Sequence, residues 1–308
     1  MRKASILLLA AIILAGCTTT TSTETEIDVL ASTYPFYDIT SHITPSNISV
    51  SYLVPPSVSP HHFDPTPSDR AKITSAEAIV TTGVAMEQWE RSMTADTDAY
   101  IINGSRAVEL QPAVGDSHES EYDEQGRDHD EDHDHGSIDP HYWLAPENAI
   151  TIAGTIRDAL IEQYPEQEQA IREQSSSYIQ DLESLHQTYS TRLSDCEHDT
   201  VLTSHAAFGY LADAYGFEQV PILGISATAE PSPQEVQTLV DTAQQEGIDT
   251  VFYDTSGDRS MAETIANEID GEIRPLNPVM GIDDPASQSY ITIMEQNLEE
   301  LTEALQCQ

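Results

Sequence analysis

The chain has 308 residues, with 53 Asp and Glu against 12 Lys and Arg and a formal net charge of -41. That balance excludes a nucleic-acid partner, because phosphate backbones are held by clustered cations. It also points to a saline habitat, where roughly 1 M salt shortens the Debye length from about 8 Å to about 3 Å and makes such self-repulsion tolerable. An acidic disordered chain is excluded as well, since 39% of residues are hydrophobic and apolar runs recur at element-like intervals.

The N-terminal stretch "MRKASILLLAAIILAGC" places Arg2 and Lys3 before an apolar run from Ile6 to Leu14 and small residues before Cys17. This resembles a lipoprotein export signal over residues 1–16 that ends in a lipobox, "LAGC", with Cys17 as the lipid-bearing residue. The run falls short of the roughly 20 residues of a membrane span. Residues 17–26 read as a polar tether. The expected location is extracytoplasmic, with the membrane contacted through the lipid.

From residue 27 the elements alternate. Residues 27–34 and 47–54 read as strands with a short helix between them, and 76–83 read as a third strand, which implies a parallel α/β lobe over 27–164. Within it, residues 116–138 carry His118, His129, His133 and His135 among carboxylates, with no apolar periodicity, and so read as a loop. Residues 145–164 are helical, and 165–195 follow as a linking helix without glycine or internal proline. The second lobe spans 196–308, where strands at 200–205, 219–223, 249–255 and 272–276 alternate with helices, one capped by Ser232 and closed by Gly247. Cys196 and Cys307 make an even pair beyond Cys17; in an oxidising compartment they are expected to form a disulfide, the alternative being a frayed end at Cys307. The expected fold is thus two mainly parallel α/β lobes joined by one long helix, with a ligand cleft between them at the carboxyl ends of the strands.

Three histidines fall at strand ends or beside helix starts: His61 in "SPHHFDPTPSD", His141 in "DPHYWLAPEN" and His205 at the end of "TVLTSH". Each alone reads as a hydrogen-bonded loop histidine rather than a ligand. Together, three neutral imidazoles suit a tetrahedral Zn2+ at about 2.0–2.1 Å with one position left over.

These blocks, followed by "GISATAEPSPQEV", resemble the substrate-binding proteins of zinc and manganese ABC importers, over about residues 27–307. The resemblance implies two α/β lobes, a rigid linking helix and a metal in the cleft. Carried over block by block, it implies His61, His141 and His205 as ligands, with His61 rather than its neighbour His62 because it directly follows Pro60. Manganese-type members offer two histidines and two carboxylates; here His205 holds the third position, and Gln288 stands where the late Asp would be. That favours Zn2+, with Mn2+ or iron as the alternative cargo. The fourth position stays open among water, Asp283, Asp284 and Asp254, the last of which reads equally as a helix cap.

The expected function is capture of Zn2+ by a monomer that passes it to the transmembrane subunit of an ABC permease. The loop histidines would be auxiliary ligands, either collecting metal or sensing it. A metal buffer or adhesin would use the same site. A zinc hydrolase is the reading from another class, and "HExxH" or another paired-base motif is not found.

Overall fold

The structure is a computed structural model that describes residues 27–84, 86, 88–95, 97–113, 138–224, 231–282 and 287–308. The signal, the tether and the four loop histidines lie outside the described residues.

The first lobe runs β1 (Val29–Ala31), α1 (Tyr34–Ile43), β2 (Val50–Tyr52), α2 (Pro67–Ser75), β3 (Ala78–Thr81), α3 (Gln88–Ala95) and β4 (Tyr100–Asn103). Its strands are all parallel, in the order β2-β1-β3-β4. Helix α4 (Pro146–Gln163) leads through a single turn at Pro165–Gln167 into α5 (Glu168–Arg192). The second lobe runs β5 (Thr200–His205), α6 (Gly209–Tyr215), β6 (Glu218–Leu223), α7 (Pro233–Glu246), β7 (Thr250–Asp254), α8 (Ser260–Glu268), β8 (Glu272–Leu276) and α9 (Tyr290–Ala304). It repeats the same order, β6-β5-β7-β8, again all parallel.

Local signals explain the boundaries. Ser232 accepts from the Glu235 N–H while Glu235 accepts from the Ser232 N–H, Pro233 starts α7, and Gly247 ends it at φ 71°, a left-handed position that costs a glycine little. Helices α2 and α3 and strand β4 are absent from the periodicity reading. In α2 only Asp69 and Ile73 are buried, so no apolar stripe marks it. Its reciprocal cap between Thr66 and Asp69 was nevertheless a readable signal in "TPSD". The edge strand β4 is four residues long and leaves Ile101 39% exposed.

Strand alternation sorts the core into layers. In the first lobe Val29, Ala31, Ala78 and Val80 face the largest cluster, while Leu30 and Ile79 face a smaller one with Ile73, Trp89 and Met93. In the second, Val201 and Phe252 join the large cluster while Leu202 and Val251 join a separate one. The large cluster is continuous across both lobes, running through Phe36 and Ile39 of α1, Ile152 and Ile156 of α4, Tyr178 and Leu182 of α5, and Tyr290 and Met294 of α9. At 25 residues α5 is about 37 Å long and packs on both halves.

Polar ties reinforce this seam. The buried Asp38 carboxylate accepts from the Tyr178 hydroxyl at 3.2 Å and the Tyr290 N–H at 3.1 Å, joining α1 to α5 and to the first turn of α9. The Trp143 indole donates to the Pro278 carbonyl at 3.0 Å, and the Ile282 N–H donates to the Pro56 carbonyl at 2.6 Å. A disulfide between Cys196 and Cys307 pins the end of the chain beside the entry to the second lobe.

Candidate metal centre

Strand order reverses between β1 and β3 and between β5 and β7, and at such switch points the loops leaving the carboxyl ends diverge and open a crevice. His205 is the last residue of β5, and Asp254 is the last of the neighbouring β7. His61 sits in a single helical turn, Pro60–His62, on the connection from β2 to α2. His141 immediately precedes another such turn, Tyr142–Leu144, which enters α4.

These three segments meet. One nitrogen from each of His61, His141 and His205 lies within 4.8 Å of the other two. The ring centroids are 5.5 Å apart for His61 and His141, 5.4 Å for His141 and His205, and 6.4 Å for His61 and His205. Nitrogens around a tetrahedral zinc at about 2.05 Å are spaced by about 3.3 Å. The Nε2 atoms of His61 and His141 are already 3.4 Å apart.

Two of the rings have a carboxylate behind them. Asp139 Oδ1 accepts from both the His141 backbone N–H at 2.9 Å and Nδ1 at 2.8 Å. An ionised carboxylate can only accept, so the proton is assigned to Nδ1, and Nε2 presents its lone pair to the centre. His205 Nδ1 lies 3.1 Å from Asp254 Oδ2, and Nε2 of this buried side chain has no hydrogen-bond partner among the described residues. A buried ring nitrogen without a partner costs free energy that a metal ion would return.

Burial pushes the His141 pKa down to about 4, helped by the two neighbouring imidazoles and opposed by Asp139. The ring is therefore neutral at neutral pH and binds a cation without first losing a proton. Burial pushes the Asp254 carboxyl up, but the His205 imidazole together with the Ser256 N–H and hydroxyl outweighs it and holds the group below its ordinary value. Both Ser256 bonds, at 2.7 Å, fall on Oδ1 and leave Oδ2 for His205.

His62 is exposed and outside the group. Asp254, a candidate for the fourth position, lies against His205 as its outer partner and outside the group of converging donors. Asp283, Asp284 and the loop histidines 118, 129, 133 and 135 are outside the described residues. The Gln288 carbonyl accepts from the Tyr34 hydroxyl at 2.5 Å, another tie between the lobes. Asp139 was not singled out by sequence reasoning, although an Asp two residues before a candidate ligand in "DPH" was available as a signal. Trp143, with its ring 5.4 Å from that of His141, was likewise not named as part of the site.

Comparison with known proteins bears on this geometry. The zinc-binding protein AdcA of Streptococcus pyogenes is 33% identical over 289 residues, which are 90% of this chain and 56% of that protein. The chain thus spans little more than half the length of that relative. The high-affinity zinc uptake system protein ZnuA of Bacillus subtilis is 31% identical over 287 residues, covering 91% of this chain and 88% of that protein. Among solved structures, the metal-dependent lipoprotein YcdH of Bacillus subtilis is similar with a TM-score of 0.74 at 30% identity, covering 91% of this chain and 99% of that one. The family described as "ZnuA: Zinc-uptake complex component A periplasmic" matches residues 29–304, from the first residue of β1 to the last of α9, and the chain belongs to it.

Proposed function

We propose that this chain captures Zn2+ outside the cytoplasm through His61, His141 and His205 and delivers it to an ABC-type permease. The observation that carries this reading is the convergence of three imidazole nitrogens within 4.8 Å, in a group that holds no carboxylate among the described residues. An all-imidazole set suits Zn2+, whereas Mn2+ prefers harder oxygen donors. Water, Asp283 or Asp284 completes the shell. Delivery calls for a site that opens to one side. His61 is the partly exposed ligand, while His141 and His205 are buried.

Two parts of the reading rest on sequence alone. Cys17 carries the lipid that tethers a monomer to the outer face of the membrane, in keeping with a Streptococcus pneumoniae relative described as a zinc-binding lipoprotein. His118, His129, His133 and His135 bind further Zn2+ loosely and raise its local concentration. Deleting residues 117–136 should then lower the number of ions bound and leave the tight site intact.

The deciding experiment is metal analysis with competitive titration of Zn2+ against Mn2+, for the wild type and His205→Ala. One tight zinc site that the substitution weakens is expected. Preference for Mn2+, or indifference to the substitution, would return the ligand set to the carboxylates of residues 283–284 and the cargo to manganese.

A further inference from the structure

His61 is the ligand placed by a connection. It lies in a single helical turn between β2 and α2 rather than on a sheet, and it is partly exposed. A single helical turn cannot hold an imidazole to a few tenths of an ångström by its own hydrogen bonds. Contacts from outside the turn therefore bear on where the ring sits.

Helix α3 meets the turn at one residue. The buried Trp89 indole N–H donates to the Pro60 carbonyl at 3.0 Å, and its ring stands edge-on to Phe63 with centroids 5.3 Å apart. Pro60 and Phe63 flank the pair His61–His62, so the indole grips both sides of the ligand. The next residue, Glu90, anchors the helix. Its buried carboxylate accepts from the Thr82 N–H at 2.6 Å, the Thr82 hydroxyl at 2.5 Å and the Met86 N–H at 3.1 Å. Thr82 in turn accepts the Tyr142 hydroxyl on its carbonyl at 2.6 Å, and Tyr142 is the neighbour of His141. An unbroken set of hydrogen bonds therefore runs from the His61 turn through α3 to the segment that carries His141.

We infer that Trp89 is a positioning residue for zinc binding: through the Pro60 carbonyl and Phe63 it sets His61 at zinc-ligand spacing from His141. The inference rests on the zinc-binding reading of the same site. Sub-ångström placement matters because a displaced imidazole must either lengthen its bond to the metal or strain its loop.

The test is a double-mutant cycle on the full chain, read as zinc affinity by competition with a chelator. Trp89→Phe keeps an aromatic ring but removes the N–H donor, and it is expected to weaken binding by about 10- to 100-fold, as loss of an outer partner does. In a His61→Ala background the same substitution should change affinity by less than about 2-fold, because the residue it acts through is gone. A general loss of structure would weaken both backgrounds alike and overturn the inference, as would unchanged affinity in Trp89→Phe alone. If His61→Ala alone has no effect, the ligand assignment itself fails, and the inference falls with it. Should Trp89→Phe not fold, Phe63→Leu carries the test. It removes the edge-on contact and should cost about 2- to 10-fold with His61 present and nothing without it.

Discussion

The two lobes share one strand order but support their histidines in different ways. In the second lobe His205 ends a central strand, is 2% exposed and has Asp254, from the next strand, 3.1 Å behind it. In the first lobe His61 lies beyond the edge strand β2, partly exposed, and is held through its neighbours' backbone and ring contacts. On the proposed reading, one ligand is a fixture of a parallel sheet, whose hydrogen-bond ladder sets it in place, and the other, on a connection, depends on packing and is the more adjustable. The capture and release proposed above can use both, a rigid half and a more adjustable one.

The sharpest way to break this comparison is to remove each ligand in turn. Structural zinc sites are worth about 10–16 kcal/mol over four ligands, so one imidazole accounts for roughly 100- to 1,000-fold in affinity. His205→Ala should fall at the upper end and His61→Ala at the lower, because the adjustable ligand contributes less preorganisation. Equal losses by calorimetric titration would contradict the division into fixed and movable ligands.

Next in size is a pH effect on the metal-free protein. The His141 imidazole is held down to about 4 by burial, below the roughly 6.5 of an unfolded chain, so between these values the unfolded chain takes up a proton that the folded one refuses. Stability should be insensitive to this group above pH 6.5 and fall below it, by up to about 3 kcal/mol as pH approaches 4. The difference between wild type and His141→Asn in urea unfolding, followed from pH 7.5 to 4.5, isolates this contribution. It must be isolated because the half-exposed His42 works the other way. Its hydrogen bond to Asp38 raises its pKa despite partial burial, which favours folding below the unfolded value and is lost as pH rises through the folded one.

The seam between the lobes offers a test of comparable size. Asp38→Ala strips the acceptor from the Tyr178 hydroxyl and the Tyr290 N–H at once and should cost about 3 kcal/mol, because buried donors without partners are expensive. A change below about 0.5 kcal/mol in denaturant unfolding would mean that the apolar cluster and the other polar ties hold the lobes together without Asp38.

The smallest effect expected is at the outer carboxylates. Asp139→Asn and Asp254→Asn should each weaken zinc by about 10-fold with the number of bound ions unchanged, since they orient a ring without binding the metal. Loss of a whole equivalent of metal in Asp254→Asn would restore that residue to the list of ligands.

Much of this fold was legible beforehand because its signals are local. The caps at Ser232 and Gly247, the runs of β5 and β7, and the glycine-free stretch that became α5 are properties of a few consecutive residues. Helices α2 and α3 were not, since α2 buries only two residues and leaves no apolar stripe to read, although it completes the lobe that holds His61. The three histidines were identified by type, by their places at strand ends and helix starts, and by the likeness of their surrounding blocks to a known family. Residue type and flanking pattern also determined the acidic composition, the even pair of cysteines and the all-imidazole donor set on which the proposed preference for Zn2+ rests. What only the tertiary structure decided is the relation among residues far apart in sequence. His61 and His141 are 80 residues apart and lie at 3.4 Å, Asp254 comes within 3.1 Å of His205, and Trp89 reaches the turn that bears His61. Those distances arise from two sheets closing on one shared core, and no window of sequence contains them.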